Sequence, residues 1–349
     1  MNEKYVALDV HKSSIVIGVR DAVGNFIMDA TVPTKATTLL EFLRGLSGEI
    51  HLTLEEGTHA AWLYDLLRPK VAECIVCDPR KNKLLEEGDK SDRIDVRKLS
   101  QLLYAGLLRP VYHGDHGTRA LKELAHGYEA LVRDRTRVKN RLKALYRGRG
   151  ISCEGDRVYN VENREQWLRQ LAEAGVRQRA EQLYLQLESL NEQVVRATQQ
   201  LLQESRKQRA STLLRSVPTL GPISVAMIIA TCDTPHRFRS KRQFWRYCGF
   251  AVVTRSSADY YFDQGELCKR RKPAVSRGHN RHYNRRLKRV FKSAATGASR
   301  QGPFKPLYER LRQRGLNDDL AKLTLARKIA AITLTVWKKG ERFDPQKLK

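Results

Sequence analysis

The sequence predicts an α/β domain at the amino-terminal end, followed by all-α segments. Three strand patterns open the chain, and helix and strand patterns alternate up to about residue 104. Beyond that point apolar residues recur mainly at helix spacing. The chain has 349 residues, of which 41% are hydrophobic and 30% charged, a globular composition that excludes disordered and collagen-like classes. Its length indicates two or three domains.

The first domain, predicted for residues 1–110, carries a mixed sheet. Strands are predicted at 5–10, 14–20, 26–32, 50–54 and 74–77, and helices at 37–46, 60–67 and 92–104. Three successive strands joined by short connections predict antiparallel pairing, and the helices that follow predict parallel additions. This is the element order of ribonuclease-H-like domains.

The middle segment, residues 111–210, is predicted to be helical. A heptad seam, in which apolar residues are spaced alternately by four and three, predicts a coiled coil. Its members are Leu183, Leu187, Leu190, Val194, Ala197 and Leu201. The seam can join two chains into a homo-oligomer, a dimer or tetramer, or it can pack within one chain against the earlier basic helix at 121–145. Pairing between chains is the favoured interpretation.

The third segment, residues 211–349, is predicted to be a basic helical domain. The net charge of the chain is +27, but residues 1–110 contribute −1, so the remainder carries +28. Residues 237–292 contain 17 basic side chains against three acidic ones. Basic side chains bind phosphates and interleaved aromatics stack on bases, so nucleic acid is the predicted partner. The six aromatics concerned are Phe244, Trp245, Tyr247, Tyr260, Tyr261 and Tyr283.

Two further features narrow the class of protein. The apolar run at 329–337 is too short to cross a bilayer, and no apolar signal segment opens the chain. Cys74 and Cys77 have a metal-like spacing, but they lie in a strand pattern, where residues three apart point to opposite faces. These features predict a soluble cytoplasmic protein with buried thiols and no structural zinc.

Four carboxylates of the first domain are candidate metal ligands. Asp9 and Glu55 each end a predicted strand, and Asp92 and Asp95 share one face at the start of a helix. Carboxylate oxygens suit Mg²⁺, which can assist displacement at a phosphodiester. Taken singly, each acid has a structural explanation, such as Asp92 as a helix N-cap. Their joint occurrence on this strand order favours a catalytic cluster.

Several short motifs, in this order and spacing, carry a resemblance to a known family. They are Ala-Leu-Asp-Val-His-Lys around Asp9, Glu-Glu-Gly-Thr at 55–58, Lys-Ser-Asp-Arg-Ile-Asp at 90–95, Val-Pro-Thr-Leu-Gly-Pro at 217–222, Tyr-Cys-Gly-Phe at 247–250, Ser-Arg-Gly-His-Asn at 276–280 and Ala-Arg-Lys-Ile at 326–329. Along essentially its full length, the chain resembles the DEDD transposases of a bacterial insertion-sequence family. This family also includes the Piv DNA invertases and is known as bridge-RNA-guided recombinases.

The resemblance implies a first domain like the RuvC junction resolvase, with Asp9, Glu55, Asp92 and Asp95 holding Mg²⁺. It also implies a nucleophilic serine after the Gly-Phe of 249–250, a place taken by Ser256 with Ser257 beside it. Donor and target DNA, and a non-coding guide RNA, are the implied partners. The motif at 217–222 followed by a helix is typical of a helix-hairpin-helix turn, whose glycine lets backbone amides approach a phosphate.

The predicted function is therefore that of a DNA transposase or site-specific recombinase. This chain has Val252, Ala258 and Asp259 where the family has a proline and glycines, so either serine can be the nucleophile. One alternative is a metal-dependent nuclease that resolves junctions with the four carboxylates alone. A second is a non-catalytic nucleic-acid-binding protein, which leaves the four acids unexplained.

Overall fold

A computed structural model describes residues 2–81, 91–114, 116–255, 260–263, 266–269, 275–280 and 282–348. The chain forms two compact units, Met1–Asp115 and His116–Lys349. The further division predicted at residue 210 lies within the second unit and stays a prediction. No helix among the described residues combines the length and apolar character needed to span a bilayer.

The first unit is built on a five-stranded sheet. Its strands are β1 (Glu3–Val10), β2 (Ser14–Arg20), β3 (Phe26–Pro33), β4 (Glu49–Glu55) and β5 (Glu73–Cys77), and its helices are α1 (Ala36–Arg44), α2 (Ala60–Leu67) and α3 (Asp92–Tyr104). The strand order is β3-β2-β1-β4-β5. The β1–β2 and β2–β3 pairs are antiparallel, whereas β4 is parallel to β1 and β5 is parallel to β4. This mixed sheet agrees with the ribonuclease-H-like order that the sequence predicts.

Side-chain alternation along the strands gives the sheet two buried faces. Val6 and Leu8 of β1 belong to the same apolar core as α1 and α2, whereas Ala7 packs with α3 on the opposite face. Cys74 and Cys77 of β5 also lie on opposite faces, as the strand pattern predicts. Because successive strand residues point to opposite sides, odd-numbered positions of β1 face α3.

Helix α3 lies close against the sheet because small residues face it. A Cβ on Gly18 would lie 3.1 Å from the Cβ of Val96, and Gly18 pairs across the sheet with Ala7. Arg20, at the end of β2, donates to the hydroxyl of Ser100 and to the backbone carbonyl of Arg97. These contacts set the position of α3, and with it the position of the acids in its first turn.

The second unit is mainly helical. Its helices are α4 (Arg119–Arg147), α5 (Arg164–Arg169), α6 (Ala174–Arg206), α7 (Arg209–Leu214), α8 (Pro222–Cys232), α9 (Lys241–Cys248), α10 (Arg285–Ala298), α11 (Lys305–Gln313) and α12 (Asp318–Lys339). One apolar core joins α7, α8, α9, α10 and α12 to the near ends of α4 and α6. A second core lies between the far halves of α4 and α6.

The heptad seam on α6 packs inside the chain, so the predicted pairing of two chains through it is wrong. Leu183 and Leu187 are buried in one core with Val138 and Leu142 of α4. The apolar stripe of α4 supplies the partner surface that the seam needs, and the two long helices form an intramolecular hairpin. The oligomeric state of the protein is a separate question that the seam does not answer.

Short strands interrupt the basic segment, where the sequence predicts only helices. Strand β6 (Val252–Arg255) pairs with β9 (Val275–His279), and β7 (Tyr260–Asp263) pairs with β8 (Glu266–Lys269), both antiparallel. Strands of only four or five residues show little of the alternation that identifies a strand from sequence. These ribbons were therefore missed.

A largely buried ion pair holds the base of the hairpin to the rest of the second unit. Glu129 of α4 accepts hydrogen bonds from Arg286 of α10 at 2.9 and 2.6 Å and also pairs with Arg289. Arg286 donates in addition to the hydroxyl of Thr231 on α8, at 3.3 Å. The side chains of Glu129 and Arg286 are only 16% and 12% exposed, so each charge depends on the other for compensation.

We expect Glu129→Ala to lower the free energy of unfolding by about 3 kcal/mol, because it leaves the largely buried charge of Arg286 without its partner. Urea denaturation of the full chain measures the change. Glu192→Ala is the matched control, since Glu192 forms only an exposed pair with Arg196 on α6, and such a pair contributes about 0.5 kcal/mol or less. Equal losses in the two variants would contradict this role of the ion pair.

Candidate metal centre and basic surface

Two predicted ligands lie in one row at the carboxyl-terminal edge of the sheet. Leu8 of β1 pairs with Leu54 of β4, so Asp9 and Glu55 are the next residues along two adjacent parallel strands. Glu55 pairs in turn with Cys77 on β5. Alternation directs both carboxylates toward the face that α3 covers. The parallel register thus places Asp9 beside Glu55, as the strand order predicts.

Helix α3 brings two further acids to the same edge. Asp92 and Asp95 occupy its first turn. Ser91, not Asp92, is the N-cap, because its hydroxyl accepts a hydrogen bond from the amide of Ile94 at 3.3 Å. The explanation of Asp92 as a capping residue is therefore wrong, and its carboxylate is available for another role.

A histidine that sequence reasoning did not select joins this group. Nε2 of His11 lies 3.1 Å from Oδ2 of Asp9 and 3.3 Å from Oδ2 of Asp92. One ligand atom from each of Asp9, His11 and Asp92 lies within 4.8 Å of the other two. Their side chains are 27%, 45% and 59% exposed, respectively, so the group is open to solvent on one side. Glu55 and Asp95 lie outside this group of three.

The surroundings of Asp9 disfavour its charged form, chiefly through burial, so its pKa is raised. Burial raises the pKa of Asp9 above its ordinary value, and the pairing with His11 opposes that rise. The nearby carboxylates of Asp92 and Asp95 raise the pKa of Asp9 further. A bound cation would remove this penalty, because positive charge favours the ionised form of all three acids.

The residues present fit a divalent metal ion. Oδ1 of Asp95 is buried and has no hydrogen-bond partner among the described residues. A buried carboxylate oxygen without a donor is costly unless a cation or water serves it. Asp9 and Asp92 supply carboxylate oxygens of the kind that Mg²⁺ prefers, and Asp95 lies in the same helix turn as Asp92.

Sequence reasoning also missed Asp78, the buried acid that follows β5 at the same edge. Its carboxylate pairs with Nε of Arg80 at 2.9 Å, so its charge is compensated locally. The sequence signal for His11 is weak, since it is only the place of His11 two residues after Asp9. Because β1 ends at Val10, strand alternation does not predict where His11 points.

The predicted nucleophiles Ser256 and Ser257 lie outside the described residues. The preceding strand β6 ends at Arg255, and the following strand β7 begins at Tyr260. Gly249, which the family motif contains, ends α9 in the left-handed conformation with a φ of 77°. A Cβ there would lie 2.5 Å from the ring of Tyr283, so glycine is required at this position.

The aromatics of the basic segment are less accessible than predicted. Phe244 is buried in the core, which excludes it from stacking on bases. Trp245 packs against that core and donates its indole N–H to the carbonyl of Arg327 at 2.8 Å. Burial raises the pKa of Tyr247, which also packs there. These three aromatics lie on the face of α9 that packs against the core. Tyr283 is half-buried.

Basic side chains of the same segment do reach solvent. Arg285 and Lys292 are both exposed and lie seven residues apart on α10, hence on one face. Around Gly221, which caps α8, no described residue other than its chain neighbours has a heavy atom within 4 Å of the position that a Cβ would take. The backbone there is open to a ligand, as a phosphate-binding turn requires.

Comparison with known families gave two matches. Residues 6–148 match the DEDD transposase model of the IS110 group, described as transposase, and residues 211–309 match the model described as transposase IS116/IS110/IS902 family. The search of curated proteins gave no match. The first match contains the edge of the sheet where Asp9, Glu55, Asp92 and Asp95 lie, and the second contains the basic segment. The first match extends from β1 in the first unit to the end of α4 in the second, and the second match lies within the second unit. By these two matches, the chain belongs to the DEDD transposase family of insertion sequences.

Proposed function

We propose that this transposase cuts and rejoins DNA by transesterification, with the acids of the first unit and a serine of the second unit as its reactive groups. The observation that carries the proposal is the convergence of Asp9, Asp92 and Asp95 at one edge of the sheet, within the segment that matches the DEDD family. Burial raises the pKa of Asp9, Asp92 and Asp95 raise it further, and a bound cation would offset these effects.

Asp9 and Asp92 would hold a divalent metal ion, Mg²⁺ in the simplest case. Glu55 and Asp95 would lie beside this site, at the same edge of the sheet. When bound, such an ion supplies charge neutralisation at the phosphate. The protein holds the metal ligands in position. The sheet edge holds Asp9 in place, and the cap of α3 holds Asp92. The open side of the group, where Asp92 is 59% exposed, leaves room for a DNA strand to approach.

Ser256 is the proposed nucleophile, with Ser257 as the alternative. Its Oγ would form a bond to the phosphorus of a DNA phosphodiester, while the bond from phosphorus to a deoxyribose oxygen breaks. The serine proton leaves with a base or solvent, and the departing oxygen takes up a proton to become a hydroxyl. The phosphoserine ester conserves the energy of the broken bond, so the reverse reaction with another hydroxyl rejoins the strands without ATP.

Nucleic-acid binding is proposed for the second unit. Its support is the excess of positive charge after residue 110 and the exposed basic face of α10. The open backbone at Gly221 would add amide donors for a phosphate. A guide RNA that selects the target, and a homo-oligomer that holds donor and target DNA together, are proposals that rest on the family resemblance.

Neutralising a metal ligand should abolish strand exchange without unfolding the protein. We expect Asp92→Asn to slow recombination at least about a hundredfold, the effect of losing about 3 kcal/mol of transition-state stabilisation. Asp319→Asn is the matched control, because Asp319 is also an exposed acid in the first turn of a helix, α12. Recombination of plasmid substrates measures the rates. Wild-type activity in Asp92→Asn, or in excess EDTA, would contradict the metal centre.

The serine mechanism requires a covalent intermediate. Full-length protein incubated with labelled DNA and Mg²⁺ should yield an adduct that survives denaturing electrophoresis, and Ser256→Ala should abolish it. Ser257→Ala, the neighbouring change, should retain it. The reverse pattern would move the nucleophile by one residue. Cleavage without any adduct would favour a hydrolytic nuclease, and binding without cleavage would favour a non-catalytic DNA-binding protein.

Exposed basic residues of α10 should contribute to affinity through phosphate contacts. Each contact to duplex DNA adds about 0.9 to the slope of log affinity against log salt. Replacing Arg285 and Lys292 by Gln should therefore make the slope shallower by about 1.8. Replacing Lys35 and Lys70 by Gln removes the same charge from exposed sites of the first unit and should leave the slope unchanged. Equal effects of the two pairs would contradict the assignment of DNA binding to the second unit.

A further inference from the structure

His11 occupies a distinct position in the candidate metal centre. It directly follows β1 and stands two residues after Asp9. Its Nε2 lies at nearly equal distances from two carboxylates, 3.1 Å from Asp9 and 3.3 Å from Asp92. The same nitrogen is the atom of His11 that faces both acids.

These distances match those between adjacent ligands of one metal ion. Ligands bound at about 2.1 Å in octahedral geometry lie about 3.0 Å from their neighbours. A single Nε2–H, by contrast, can direct one linear hydrogen bond, so it serves one carboxylate well and the other poorly. A lone pair on Nε2, aimed at a cation shared with both carboxylates, satisfies all three side chains together.

We propose that His11 is a ligand of the divalent ion, through Nε2, together with Asp9 and Asp92. The inference deepens the proposed function and rests on its metal centre. Imidazole suits transition metals, whereas carboxylate suits both Mg²⁺ and Mn²⁺. With a nitrogen ligand the site favours Mn²⁺ over Mg²⁺ more strongly than four carboxylates alone would.

A second histidine–carboxylate group, at the opposite ends of the strands, provides the contrast. Glu3, Glu49 and His51 also place ligand atoms within 4.8 Å of one another. Two of its members have other partners, since Tyr5 donates its hydroxyl to Glu3 at 2.9 Å and His51 pairs with Glu73 at 3.2 Å. His51 of this group therefore serves as a control, because it is a histidine beside carboxylates elsewhere in the same unit.

The test is pulsed electron paramagnetic resonance of the full chain loaded with one equivalent of Mn²⁺. A directly bound imidazole modulates the Mn²⁺ echo at ¹⁴N frequencies. We expect this modulation in the wild type and in His51→Gln, and its loss in His11→Gln. The dissociation constant for Mn²⁺ should rise at least about tenfold in His11→Gln, the scale found when a group supporting a metal site is removed. His11 is 45% exposed, so the substitution leaves the core intact.

Three results would overturn the inference. They are Mn²⁺ bound to the wild type without ¹⁴N modulation, modulation retained in His11→Gln, and modulation lost in His51→Gln. Mn²⁺ binding to Asp9→Asn distinguishes an error in the role of His11 from an error in the proposed metal centre. If Mn²⁺ binding depends on Asp9 but shows no ¹⁴N modulation, only the role of His11 is wrong. If binding is unaffected by Asp9→Asn, the metal centre itself is wrong.

Discussion

The parallel pairing of β1 with β4 is the constraint on which the candidate site depends. With Leu8 opposite Leu54, the next residues along the two strands are both acids, and both point to the side that α3 covers. A shift of the register by one residue would turn one of these carboxylates into the apolar core beneath α1 and α2. The apolar pattern that stabilises the sheet therefore also holds the acids together.

The candidate site also depends on how closely helix α3 packs against the sheet. Ala7 and Gly18 leave space for Val96, and Ser91 caps the helix so that Asp92 and Asp95 begin its first turn at the sheet edge. This packing disfavours the ionised form of Asp9, whose pKa is raised by burial and by the two acids of α3. Carboxylates with perturbed pKa values are concentrated at functional sites. The uncompensated oxygen of Asp95 points to the same conclusion.

Much of the first unit could be predicted from sequence, because its strands alternate clearly and its helices carry strong boundary signals. The bounds of β2, α2 and α3 agree with the prediction to the residue. The register that places Asp9 beside Glu55 follows from the strand order. His11 was missed because a histidine after a strand has no distinctive sequence pattern, and only the position of Asp92 in space reveals its role.

The second unit was harder to predict because its signals depend on partners that the sequence does not identify. The seam at Leu183 and Leu187 has the same spacing whether it packs on α4 or on another chain, and the structure shows α4. Phe244 stands among basic residues in the sequence but lies in the core, since α9 has one charged and one buried face.

The most direct test of the metal centre is the anomalous scattering of Mn²⁺ in crystals of the full chain. The account predicts a peak at the carboxyl-terminal edge of the sheet, within bonding distance of Asp9 and Asp92. A peak confined to Glu3, Glu49 and His51 at the opposite edge, or the lack of any peak at saturating Mn²⁺, would contradict it.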